Sequence, residues 1–130
     1  MKKFLLIGLL ITACNLFAGD TAETRAKPRV LYGTASFYSN SFHGKKTASG
    51  EIFSQQKYTA ACNVLPLGTW IKVTNLRNGK NVVVKTNDRL HSRMTRVVDL
   101  SKAAADKLSY VKSGLTRVKV EVLGKNKPEK

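Results

Sequence analysis

The 130-residue chain predicts a small closed β-barrel with one short helix. Three observations predict it. Short β-branched runs recur between turn residues, one strand near the C-terminus has strict period two, and a single Ala-rich stretch has helical spacing. The pattern occupies residues 30–124, some ninety residues, which is room for one domain with a modest core.

The elements before the barrel concern export. Met1-Lys2-Lys3 is a positive start, Phe4 to Ile11 is an unbroken apolar run, and small residues follow, so residues 1–13 read as a secretory signal. The run has 8 residues, against the roughly 20 that a spanning helix requires. Ile11-Thr12-Ala13-Cys14 resembles a bacterial lipobox, which makes Cys14 the expected site of lipidation and membrane anchoring. The alternative is an ordinary signal cut near Ala18-Gly19. Asn15 stands where an Asp would argue for inner-membrane retention, so a periplasm-facing outer-membrane anchor is expected. Residues 14–29 are small, polar and charged without apolar periodicity, and read as a tether.

Within the barrel, Val30 to Tyr38 is the first strand, and Gly33 inside it signals a bulge or a close backbone approach. Trp70 to Asn75 and Val82 to Thr86 are β-branched runs joined through Asn78-Gly79, a strong hairpin signal, and should pair antiparallel. Arg96 to Asp99 is a further short strand. Ser101 to Leu108 is expected to be helical from the spacing of Leu100, Ala104 and Leu108, with Asp99 as its cap. In the last strand, Leu115 to Leu123, Val118, Val120 and Val122 alternate with Arg117, Lys119 and Glu121. Residues 125–130 form a charged tail.

Lys and Arg number 23 and Asp and Glu only 8. Loss of residues 1–13 would leave 21 basic against 8 acidic residues, a net charge of +13. A polyanionic partner follows, and for an exported chain the anionic cell wall and lipid head groups come first. No nucleic-acid recognition motif accompanies the charge, so nucleic acid is not an expected partner. His43 and His91 lack a third ligand at regular spacing, and neither a metal nor another cofactor is expected. With Cys14 lipidated, Cys62 has no partner and is expected to be buried as a small apolar residue. Among so few acids, Glu51 in Thr47-Ala48-Ser49-Gly50-Glu51 and Asp88 in Asn87-Asp88-Arg89 stand beside turn residues at the ends of patterned segments. Asp88 could simply cap its strand end, bonded to nearby backbone and Arg89, and Glu51 could be an exposed loop acid.

Several ordered blocks bear on that choice: Gly33-Thr34-Ala35-Ser36-Phe37-Tyr38, Phe42-His43-Gly44, Ser49-Gly50-Glu51, Thr59-Ala60-Ala61, Leu65-Pro66-Leu67-Gly68-Thr69, Asn87-Asp88-Arg89 and Asp99-Leu100-Ser101. From about Gly33 to Leu123 the chain resembles the rare lipoprotein A (RlpA) family. The resemblance implies a six-stranded double-psi β-barrel, shared with expansins, and endolytic lytic transglycosylase activity on peptidoglycan glycan strands. It implies Asp88 and Glu51 as catalytic acids. From the residues themselves, Tyr38 and Phe42, aromatics near a loop, are expected to stack on sugar faces, and His43 and Arg89 complete the expected substrate-binding set. The family carries a His where this chain has Cys62, and a thiol can neither take a positive charge nor orient a carboxylate as imidazole does. Leu90-His91 also replaces the usual Gly-Pro after the Asn-Asp-Arg motif. A non-catalytic, expansin-like wall-binding lipoprotein is therefore the alternative. Many members carry a peptidoglycan-binding SPOR domain, and none is expected in this sequence.

Overall fold

The structure is a computed structural model and describes residues 29–129. The signal segment 1–13, the lipidation site Cys14 and the tether up to residue 28 lie outside the described residues. Six strands, β1 (Val30–Phe37), β2 (Thr59–Ala61), β3 (Trp70–Asn75), β4 (Asn81–Asp88), β5 (Val98–Leu100) and β6 (Thr116–Gly124), and one helix, α1 (Lys102–Lys107), follow in that order. The strands close into a barrel in the order β1-β5-β2-β4-β3-β6. The β1–β5 and β2–β4 pairs are parallel and the other four are antiparallel.

Alternation along the strands places the core. Ile71 and Val73 of β3, Val82 and Val84 of β4, Val98 and Leu100 of β5, and Val118 and Val120 of β6 all point into the barrel and are buried. Removing a side chain of this kind costs about 2–5 kcal/mol, because the barrel cannot collapse around the gap. The Asn78-Gly79 turn joins β3 to β4 as expected, with Thr74 opposite Asn81. Ser101 caps α1 by accepting from the Ala104 amide, and Leu100, Ala104 and Leu108 are all buried, in line with their spacing.

The structure departs from the sequence reading at four places. Asp99 lies within β5 and does not cap α1, since the hydroxyl of Ser101 fills that role. The strand expected over Arg96 to Asp99 is instead Val98–Leu100, because Arg96 folds back to pair with Asp99. β4 runs two residues past Thr86, to Asp88, held there by pairing with β2. β2 itself, three residues with no alternation to announce it, was not expected as a strand.

Gly33 stays in register opposite Val118, so it marks a close approach and not a bulge. A Cβ placed there would stand 2.8 Å from the Val97 Cβ. Gly33→Ala should therefore lower stability by about 1–3 kcal/mol, read as a lower Tm in thermal unfolding followed by circular dichroism. An unchanged Tm would show that the Val97 segment yields freely.

Candidate active site

The open end of β4 holds the site. The β2–β4 register slips between Ala60 and Ala61, so that Ala61 stands opposite Asp88 and Asn87 becomes the extra residue. Asp88 emerges into a cleft of about 400 Å³ that Tyr38, Phe42, His91, Met94 and Asp99 also line. Both of its carboxylate oxygens accept hydrogen bonds. Tyr38 donates its hydroxyl to Oδ2 at 2.7 Å, while the amides of Ala48 and Arg89 donate to Oδ1 at 2.9 and 2.8 Å. Asp88 thus does cap a strand end, and it does so facing a cleft.

A small apolar cluster, separate from the barrel core, fixes this geometry: Tyr38, Phe53, Ala61 and Leu90. Tyr38 stacks on Phe53 with centroids 4.0 Å apart and meets Phe42 edge-on at 5.6 Å. Phe42 itself remains 48% exposed at the rim, with Lys45 Nζ over its ring at 5.9 Å from the centroid. Burial, and next the hydrogen bond to Asp88, push the Tyr38 hydroxyl well above the ordinary tyrosine value. Burial does the same for Tyr110, which donates to the Ser36 carbonyl. Their folded-state values exceed the unfolded one, so their stabilisation is complete below about pH 10 and is lost as pH rises further. Tm should hold level between about pH 8 and 9.5 and fall beyond that. A level Tm up to pH 11 would contradict this.

Gln55 ties the surrounding loops together. Its Nε2 donates to the Tyr38 carbonyl at 2.7 Å and its Oε1 accepts from the Lys102 amide at 2.8 Å. Its own amide donates to His43 Nδ1 at 3.1 Å, so this ring nitrogen of His43 is engaged in holding the loop. The guanidinium of Arg89 donates from Nη1 to the carbonyls of Cys62 and Leu65 and so braces the 62–65 segment. The Cys62 side chain is fully buried in the barrel core, and its amide donates to the Asp88 carbonyl at 3.0 Å.

Glu51 ends the tight turn whose Ala48 amide serves Asp88. Gly50, at φ +92°, allows that turn, a conformation costly for any residue with a Cβ. The Glu51 carboxylate turns to the Ser49 hydroxyl at 3.2 Å and to Lys85 Nζ at 3.7 Å, is half exposed, and lines a different depression from Asp88. The second acid in the Asp88 cleft is Asp99, held by Arg96 through two bonds of 2.8 and 3.0 Å. Sequence reasoning missed it because a residue just before a helix reads as a cap. Its neighbour three positions back, Arg96, was the available signal.

The profile of a family described as "Lytic transglycolase" matches residues 31–120. This chain belongs to that family. Lytic transglycolase domains of this kind are double-psi β-barrels, and the closed six-stranded barrel described above is that fold. The endolytic peptidoglycan transglycosylase RlpA of Pseudomonas aeruginosa is 52% identical over 91 residues, covering 70% of this chain and 27% of that protein. The protein of the same name from Campylobacter jejuni is 40% identical over 124 residues, covering 95% of this chain and 42% of that protein. The chain thus spans well under half the length of these curated relatives. Among solved structures, a mutant Clavibacter michiganensis expansin in complex with cellohexaose superposes with a TM-score of 0.59 at 18% identity, over 78% of this chain and 54% of that one. This likeness shows the shared barrel alone.

Proposed function

We propose that the chain is an endolytic lytic transglycosylase that cleaves peptidoglycan glycan strands between N-acetylmuramic acid and N-acetylglucosamine and leaves an anhydromuramyl end. The observation that carries this reading is Asp88, set in an aromatic-rimmed cleft with its Oδ2 on the Tyr38 hydroxyl. In this reaction the muramic C6 hydroxyl attacks its own anomeric carbon, so no water is added. Asp88 protonates the departing glycosidic oxygen and, once ionised, takes the proton of the C6 hydroxyl. Tyr38 holds the carboxyl group in place between the two transfers. The Asp99 carboxylate lines the same cleft, held by both prongs of the Arg96 guanidinium that lines it as well. Phe42 offers aromatic surface to a sugar at the rim of the cleft, while the Glu51 carboxylate, turned to Lys85 in the neighbouring depression, has no part in the two proton transfers.

The alternative, a wall-binding protein without catalysis, draws on Cys62. Its buried thiol leaves Asp88 with Tyr38 as its side-chain partner and no imidazole. We place the protein in the bacterial cell envelope, anchored through lipid on Cys14 with its barrel facing the periplasm. The deciding experiment incubates the purified chain with peptidoglycan and with peptide-stripped glycan, and searches the soluble fraction for anhydromuramyl fragments by mass spectrometry. Binding with no such fragments would establish the wall-binding alternative.

A further inference from the structure

A second depression, of about 360 Å³, lies across the Thr47–Glu51 turn from the Asp88 cleft. Glu51, Ile52, Ser54, Lys57, Thr59 and Asn87 line it. Two of these side chains are polar atoms without a use in the fold. Asn87 is only 3% exposed, and neither its Oδ1 nor the buried Oγ1 of Thr59 has a hydrogen-bond partner among the described residues. Such a buried atom costs about 1–3 kcal/mol, and a fold rarely keeps two at one place without a compensating contact. Thr59 stands opposite Lys85 in the parallel β2–β4 pair, two residues before Asn87 in β4, and Thr59 and Asn87 both line this depression.

We propose that this depression is a subsite for the acetamido group of an N-acetylated amino sugar. The chemistry matches group by group. The Asn87 Oδ1 can only accept and faces an acetamido N–H, the Thr59 hydroxyl can donate to the acetamido carbonyl, and Ile52, 56% exposed, offers apolar surface to the methyl group. An anionic ligand would meet the Glu51 carboxylate, and a metal ion would meet the Lys57 ammonium. A plain glucan hydroxyl would satisfy one of the two orphan atoms and leave the other. Asn87 immediately precedes Asp88 in β4, so the subsite fixes the glycan one residue along the strand from the proposed proton shuttle. The inference rests on the glycan reading above and adds to it the basis for choosing N-acetylated sugars.

The test compares binding of the N-acetylglucosamine hexamer and of cellohexaose, which shares its β-1,4 backbone but has hydroxyls in place of acetamido groups, to the full chain and to Thr59→Val and Asn87→Leu. Both substitutions conserve shape and remove the orphan atom. Each should weaken binding of the N-acetylated hexamer by about 3- to 10-fold in titration calorimetry, leave cellohexaose binding as it is, and keep or raise Tm. Hexamer affinity unchanged in both variants while peptidoglycan is still cleaved would overturn the subsite and leave the proposed function standing. So would a lowered Tm with unchanged affinity, which is the signature of two side chains joined by solvent. A wild-type chain that binds neither hexamer and releases no glycan fragments would overturn subsite and function together.

Discussion

Asp88→Asn should reduce anhydromuramyl product by a factor on the order of 10²–10⁴, the range general acid-base catalysis contributes, with Tm within a few degrees of the parent. Asparagine keeps the shape of the side chain. Its Oδ1 can still accept from the Ala48 and Arg89 amides, and its amide group occupies the place of Oδ2 beside the Tyr38 hydroxyl. What it cannot do is exchange a proton with a glycosidic oxygen. The variant therefore separates the two things Asp88 does in this structure, closing a strand end and facing a cleft. If product formation persists at the parent rate, the proton comes from another group, and Asp99 in the same cleft becomes the first to replace. If instead Tm collapses, the strand-end role dominates, and a comparison of glycan binding by Asp88→Asn and Asp88→Ala would separate loss of fold from loss of chemistry.

Among the polar residues, a large stability loss is expected at Asn75. This residue ends β3, is 1% exposed, and joins three parts of the barrel. Its Nδ2 donates to the Leu108 carbonyl at the end of α1 at 2.8 Å, and its Oδ1 accepts from the Thr116 hydroxyl of β6 at 2.7 Å and from the Arg77 amide in the hairpin turn at 3.0 Å. Asn75→Ala would leave the buried Thr116 hydroxyl and the Leu108 carbonyl without that partner, at about 1–3 kcal/mol for a buried group, while the Arg77 amide lies in an exposed turn where solvent can serve it. Leu108 suffers less, because Asn78 Nδ2 also reaches its carbonyl, at 3.0 Å. A loss of about 2–4 kcal/mol should lower Tm by roughly 8–30 °C, at the 4–8 °C per kcal/mol typical of a domain this size. The double variant Asn75→Ala with Thr116→Val should recover part of the loss, since it removes the orphaned hydroxyl as well. A Tm within 2 °C of the parent in the single variant would show that solvent enters and serves those groups.

Asn75 and Gln55 also show why part of the site stayed illegible. Both are ordinary polar residues in the sequence, and nothing in their neighbours marks them. Their importance comes from partners 33 and 47 positions away, Leu108 and Lys102, which only closure of the barrel brings near. Asp88 and Glu51 could be picked out because acids are scarce in this chain and both stand beside turn residues. Which acid shares the cleft with Asp88 could not be read that way. The turn that carries Glu51 presents the Ala48 amide to Asp88 and sends the Glu51 carboxylate toward Lys85. Asp99 reaches the cleft from the other side, because β5 pairs with β1 next to Tyr38.

Taken by itself, the sequence determined the barrel class, the β3–β4 hairpin, the inward face of β6, the helix, and Asp88 as the acid to examine. Those properties are local: period-two and helical spacing, turn chemistry and composition are written within a few residues of where they act. The tertiary structure alone decided the place of β2, the roles of Gln55 and Asn75, the partnership of Asp99 with Arg96, and the orphan atoms of Thr59 and Asn87. Each of these depends on strand order and register in a closed sheet, where a slip of one residue at Ala60/Ala61 sets which side of β4 every later side chain faces.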